Sequence, residues 1–261
     1  MYLIGAGPGD PELLTLKAYR LIQAADVVLH DSLVDRRILA MAAGAEKIDV
    51  GKRCGRHSSP QARINELLVE QARTGKMVVR LKGGDPMVFG RATEEMDALD
   101  AAGIGYEIVP GVTAATAAAA SLKISLTRRG IARSLHFLTG HGAEGGLPAH
   151  DFAALTRAGG TIVTYMGAKT LPGLAAHFIE AGMDPQMPAV AIENASLASE
   201  RKWAGTIATL AGILAQAAPE GPTLVMIGQA VAGDAELVGM VAADGFPRIG
   251  AETGAEGDGA G

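Results

Sequence analysis

Along the first 113 residues, short apolar runs rich in β-branched side chains alternate with stretches whose apolar positions recur at helical spacing. The runs predict strands at 2–6, 27–30, 48–50, 77–81 and 106–109, with helices filling the gaps. That alternation predicts an α/β layer on a largely parallel sheet. Asp10-Pro11 puts an acid at an N-cap and a proline at the first helical position, and Ser59-Pro60 repeats the device. At Pro110-Gly111-Val112 the chain is expected to turn, and the small side chains from Thr113 to Ala120 predict a helix packed at close range. Beyond this junction, runs at 135–139, 161–165, 190–193 and 224–227 predict a second strand set, with helices near 171–180 and 207–216. The expected organisation is a two-lobed α/β protein: one lobe over 1–113, a second over 114–243, and a tail over 244–261. The last stretch, 249–261, is glycine, alanine and acid with almost no large apolar side chain, so burial cannot offset its ordering entropy and disorder is predicted.

Composition narrows the class. In 261 residues, 48% of them apolar, no uninterrupted apolar run reaches the roughly 18 residues a spanning helix needs, so a soluble protein without a membrane association is expected. The start, Met1-Tyr2-Leu3-Ile4-Gly5, has no basic region of a secretion signal, and a lone Cys54 cannot form an internal disulfide; both suggest the cytoplasm. A formal charge of -5 argues against general nucleic-acid affinity. Two basic clusters stand out against it, Lys52, Arg53, Arg56, His57 and Arg63, then Lys123, Arg128, Arg129 and Arg133. Such patches could receive a small polyanion, or be solvated surface charge.

Gly5-Ala6-Gly7-Pro8-Gly9-Asp10-Pro11 follows the first predicted strand and opens a helix, the setting of a nucleotide-binding turn, and Asp31 stands where a dinucleotide site keeps its ribose-binding acid. The fingerprint fails at Asp10, a carboxylate in the third glycine position, and at Pro8, which removes an amide donor. A cationic or uncharged nucleotide fits better than a pyrophosphate; a structural glycine turn with no ligand is the alternative. Gly83-Gly84-Asp85-Pro86 directly follows the run at 77–81, at the carboxyl end of a strand where ligands bind open α/β sheets. Asp85 could accept from ribose hydroxyls or an amine, or simply shape an Asp-Pro turn. His136 and His141 lack a third partner for a metal site, so no metal is expected.

In sequence order, GAGPGDP at 5–11, LLTLKA at 13–18, ADVVLHDSLV at 25–34, GKRCGRH at 51–57, Gln61 with Ile64-Asn65, VVRLKGGDP at 78–86, FGR at 89–91, PGVTAA at 110–115, TGH at 139–141 and YMG at 165–167 resemble the uroporphyrinogen-III C-methyltransferase family of tetrapyrrole methylases, from about Tyr2 to Val231. The resemblance implies a homodimeric two-lobed enzyme holding S-adenosylmethionine between its lobes and methylating uroporphyrinogen III at C2 and C7 to give precorrin-2, for sirohaem or cobalamin. It implies cofactor contacts from Pro8, Gly83, Gly84, Asp85, Val88, Thr113, Ala114, Met166, Ala195 and Gly228, a proton acceptor at Asp31 and a proton donor at Lys52. Arg53, His57, Arg80, Arg91, Arg128 and Arg129 are candidates to hold substrate carboxylates, since guanidinium groups bind them bidentately, although a structural ion pair is open to each arginine. Arg128 stands where relatives commonly carry histidine, Met87 replaces a frequent phenylalanine, and Ala92-Thr93 replace a common glycine pair. Without a dehydrogenase and chelatase domain, methylation alone is expected. The rivals are a methylase acting later in corrinoid synthesis, a dinucleotide-binding oxidoreductase, and a non-catalytic tetrapyrrole-binding protein.

Overall fold

Tyr2-Leu3-Ile4 is an apolar run buried on both sides because its strand is flanked by strands and its sheet by helices. In the computed structural model, which describes residues 1–51, 61–142 and 145–232, this run is β1 (Tyr2–Gly5). It pairs in parallel with β4 (Val78–Lys82) and β5 (Glu107–Val109), while β4 also pairs with β2 (Val27–His30), and β2 with β3 (Glu46–Asp49). Among the described residues the sheet order is β3-β2-β4-β1-β5, and every pairing is parallel as expected. Helices α1 (Leu16–Ala24) and α2 (Arg36–Met41) cover one face through Ala18, Ile22 and Ile38. On the other face α3 (Gln61–Ala72) and α4 (Ala92–Ala101) pack Ile64, Leu68 and Leu99 against Leu3, Val27, Leu29 and Val78. Asp10 does cap, accepting from the Glu12 N–H, but what it opens is a single 3-10 turn, Pro11–Leu13; α1 starts later, where the Thr15 hydroxyl accepts from the Ala18 N–H. The Ser59-Pro60 signal and the predicted tail lie outside the described residues.

Helix α5 (Ala114–Ser121) follows the first sheet in sequence yet packs Ala115, Ala118 and Ala119 on the second. That sheet holds β6 (Leu135–Thr139), β7 (Thr161–Tyr165), β8 (Pro188–Glu193), β9 (Arg201–Thr206) and β10 (Thr223–Ile227) in the order β6-β7-β10-β8-β9. Only β6 and β7 run parallel; β10 is antiparallel to both β7 and β8, and β9 antiparallel to β8. Its far face is covered by α6 (Phe152–Ala158), α7 (Leu171–Glu180) and α8 (Leu210–Ala217), around Leu174, Phe178 and Leu214. Strand β9 has no counterpart among the predicted runs, and α8 begins three residues later than its predicted start.

Candidate active site

Strands β4, β1 and β5 are neighbours, so their three C-terminal loops converge. Gly7 and Gly84 exchange backbone hydrogen bonds at 3.1 and 2.7 Å, zipping the loop after β1 to the loop after β4. Gly5, Gly84 and Gly111 stack backbone on backbone: a Cβ on Gly111 would lie 2.3 Å from the Gly84 carbonyl oxygen. Asp85 ties two of these loops, accepting from the Met87 N–H at 2.8 Å and from the Gly111 N–H at 3.0 Å. Both readings of Asp85 survive, since each carboxylate oxygen retains a lone pair. Gly84 itself has φ of +68° and an open side, the nearest atom to a Cβ there being the Thr113 Cα at 4.0 Å.

The amides of the first glycine loop are largely spent. The Ala6 N–H donates to the Lys82 carbonyl, Gly7 to Gly84, Asp10 to the Ser196 hydroxyl and Glu12 to the Asp10 carboxylate, while Pro8 has none to give. A pyrophosphate would need those donors. The loop therefore suits a ligand without phosphate, and the dinucleotide reading loses its physical basis.

The second sheet closes on these loops from the other side. Tyr165, at the end of β7, sets its hydroxyl 2.6 Å from the Thr113 hydroxyl and accepts the Ala115 N–H at 3.3 Å, capping α5 from the sheet on which that helix packs. Burial pushes its phenol upward, against the lowering effect of those two hydrogen bonds. Its ring meets Phe89 at 5.0 Å and Phe137 at 5.5 Å. The next residue, Met166, has φ of +55° and is 52% exposed, and Phe89 and Leu33 also leave large apolar surfaces open near the loop ends. After β8, Ala195 is buried, Ser196 receives the Asp10 N–H at 3.1 Å, and Leu197 fills the space a Cβ on Gly9 would need. Pro8, Gly83, Gly84, Asp85, Val88, Thr113, Ala114, Met166 and Ala195 thus stand on one connected set of loops.

Gly228 does not join them, and its expected cofactor contact is corrected. Because β10 runs antiparallel to β7 and β8, its end lies at their beginnings: Gly228 donates to the Pro188 carbonyl and abuts Gly160 and Thr161. A five-residue strand, roughly 17 Å at the usual rise, separates it from Met166. The start of β10 is what reaches the site end, where the Pro222 carbonyl accepts the Asn194 N–H.

Asp31 follows β2 at the edge of the loop cluster. Its Oδ1 accepts from Arg80 Nη2 at 2.6 Å, Arg80 Nε donates to Glu95 Oε1 at 3.0 Å, and Lys82 Nζ donates to the same oxygen at 2.8 Å. Arg80 is 2% exposed, so its guanidinium is an internal cation and does not face solvent as the substrate-carboxylate reading required. Burial, and then the Arg80 charge, push the Lys82 ammonium below its ordinary value despite Glu95. Arg91 grips Glu94 with two hydrogen bonds of 2.7 Å, and that bonding raises its value. Arg128 and Arg129 are exposed in the segment between α5 and β6, and with Lys123 and Arg133 they have no carboxylate partner among the described residues. Lys52, Arg53 and His57 lie outside the described residues; Gly51, just before them, is pressed against Ser32 beside Asp31. His136 bonds Ser134 and the Gly159 carbonyl at the start of β6, away from His141 in the turn that ends it. Tyr165, Ser196 and Pro222 were not singled out by sequence; YMG was visible as a motif, but only contact across sheets distinguishes the tyrosine.

Residues 1–211 match the family model described as Tetrapyrrole (Corrin/Porphyrin) Methylases. A siroheme synthase of Pseudomonas aeruginosa is 47% identical over 234 residues, 88% of this chain and 50% of that protein. The chloroplastic S-adenosyl-L-methionine-dependent uroporphyrinogen III methyltransferase of Arabidopsis thaliana is 46% identical over 233 residues, 88% of this chain and 63% of that one. The chain thus spans about half the length of the siroheme synthases it matches. Among solved structures, uroporphyrin-III C-methyl transferase from Thermus thermophilus complexed with S-adenyl homocysteine superimposes with a TM-score of 0.76 at 42% identity, covering 88% of this chain and 98% of that one. A cobalt precorrin-4 methyltransferase gives 0.79 at 31% identity over 88% and 95%.

Proposed function

The chain belongs to the tetrapyrrole (corrin/porphyrin) methylase family, and from that premise we propose that it is an S-adenosylmethionine-dependent C-methyltransferase converting uroporphyrinogen III to precorrin-2. The observation that carries the cofactor assignment is the junction of glycine loops whose one open side is at Gly84, with the Ala6, Gly7, Asp10 and Gly84 amides already engaged and apolar Met166 and Phe89 exposed nearby. A cofactor with an adenosine and a sulfonium but no phosphate fits that surround. When bound, it supplies a methyl group already activated for attack by an electron-rich pyrrole carbon.

The protein's share is then alignment and proton handling. Gly83, Gly84 and Asp85 hold the cofactor from one side, Thr113, Ala114, Met166 and Ala195 from the other, with Pro8 and Val88 at the margins. Asp31 takes the proton that the ring must lose, and Lys52 is its proton-donating counterpart. Arg128 and Arg129 receive ring carboxylates, supported by their exposure and lack of a carboxylate partner among the described residues; Arg53 and His57 are assigned the same task. Homodimer formation and a cytoplasmic location belong to the same reading; among the described residues no helix is long and apolar enough to cross a membrane.

Turnover on uroporphyrinogen III should be measured beside turnover on a precorrin that already carries the C2 and C7 methyls. Activity confined to the unmethylated ring is expected. Activity confined to the methylated ring would move the chain to a later corrinoid step.

A further inference from the structure

Arg80, Lys82 and Glu95 are charged, nearly inaccessible and unused by the chemistry above. Alternation along β4 sends Val78, Arg80 and Lys82 to the same face, the one covered by α3 and α4. Glu95 comes down from α4 to meet both cations through one oxygen. Arg80 uses its remaining reach for the Leu81 carbonyl at 3.2 Å and for Asp31 Oδ1 at 2.6 Å. The guanidinium therefore bridges two carboxylates, Glu95 fully buried and Asp31 with 27% of its side chain exposed. Only Asp31 Oδ1 is committed among the described residues, so Oδ2 is left to act toward the open side.

We infer that Arg80 is a positioning residue for the methyl transfer, its planar fork anchored by Glu95 so that Asp31 is held with Oδ1 fixed and Oδ2 presented to the substrate. The inference rests on the reading of Asp31 as the proton acceptor. A rigid fork suits this role, because each hydrogen bond fixes the direction of the others, whereas an ammonium on a flexible stem cannot span both carboxylates. Glu95 serves two ends, fixing Arg80 under Asp31 and Lys82 at the root of the Gly83-Gly84 loop.

The test is a double-mutant cycle between Arg80→Lys and Asp31→Asn, with kcat and both KM values measured anaerobically. Arg80→Lys keeps the buried charge and should lower kcat about tenfold while moving each KM less than about threefold. In the Asp31→Asn background the same change should cost less than about twofold, since the group it positions has lost its basicity. A parent-like kcat for Arg80→Lys, or an equal loss in both backgrounds, overturns the inference and makes Arg80 merely structural. If Asp31→Asn alone turns over at the parent rate, the proton-acceptor reading falls first, a result distinct from a slow Asp31→Asn beside a fast Arg80→Lys. Should Arg80→Lys not fold, Arg80→Gln, which leaves the buried Lys82–Glu95 pair intact, is subjected to the same comparison.

Discussion

Two glycines in van der Waals reach of one another make opposite demands. At Gly84 an added methyl would point into open space, but φ of +68° places it where L residues are strained, at about 1–3 kcal/mol. At Gly111 the backbone is ordinary, yet the methyl would collide with the Gly84 carbonyl and Gly5 Cα. Gly84→Ala should therefore stay folded, with a modestly lower Tm, and lose affinity for S-adenosylmethionine by calorimetry. Gly111→Ala should lower Tm far more by parting the loops. Parent-like cofactor affinity in folded Gly84→Ala would remove this loop from the ligand surface. Valine is a poorer probe, because a β-branched side chain at positive φ compounds the strain. Sequence could identify Gly84 and Asp85 because they stand directly after a strand. It could not orient Arg80: VVRLK reads as a strand with a polar face toward water, and the carboxylate that permits its burial arrives 15 residues later, on a helix with no local signal of that pairing.

Strands β1 and β2 of the first sheet were legible because parallel strands buried on both faces leave continuous apolar runs, whereas the edge strand β3 is largely exposed. The second sheet was harder to read. Strand β9, Arg201–Thr206, opens with two charges and contains a glycine, so neither alternation nor an apolar run marks it; it exists because β8 offers it a ladder from Pro188↔Thr206 to Glu193↔Arg201. Strand direction is likewise invisible in composition: that β10 runs antiparallel to β7 and β8, which puts Gly228 at the end opposite Met166, emerges only from the pairing. Glu193 fastens this sheet: it accepts from Arg201 on β9 and from the Glu220 and Gly221 N–H groups leading into β10. Burial alone would raise its carboxyl, but those hydrogen bonds outweigh it and hold the value below the usual one. A depressed folded value means the stabilisation is present above the unfolded glutamate value, about 4.3, and is lost as pH falls through the folded one. Glu193→Gln should thus cost on the order of 2 kcal/mol at neutral pH, with the gap to the parent narrowing in acid unfolding series. A gap independent of pH would mean that the carboxylate charge contributes nothing.

Taken as a whole, the molecule sets an all-parallel sheet against a mixed one, and the candidate site lies where loops from both meet: Gly9 against Leu197, Asp10 against Ser196, Thr113 and Phe89 against Tyr165. The α/β class could be read from the alternation of apolar runs and helical spacing, whereas the glycine loops suggested a cationic or uncharged nucleotide at strand ends and left a ligand-free turn open. The tetrapyrrole ring could not be read from the residues themselves, because in the proposed reading it is received by surfaces assembled from distant segments, among them the exposed arginines of 121–134. Their local positive charge within a chain of net charge -5 is the physical feature suited to a ring bearing many carboxylates. The central claim is tested most directly by incubating the protein anaerobically with uroporphyrinogen III and S-adenosylmethionine labelled in its methyl group, then following the ring by mass. The account predicts successive appearance of rings carrying one and then two labelled methyls, with an equal number of cofactor molecules demethylated. Cofactor bound but no label on the ring would contradict it.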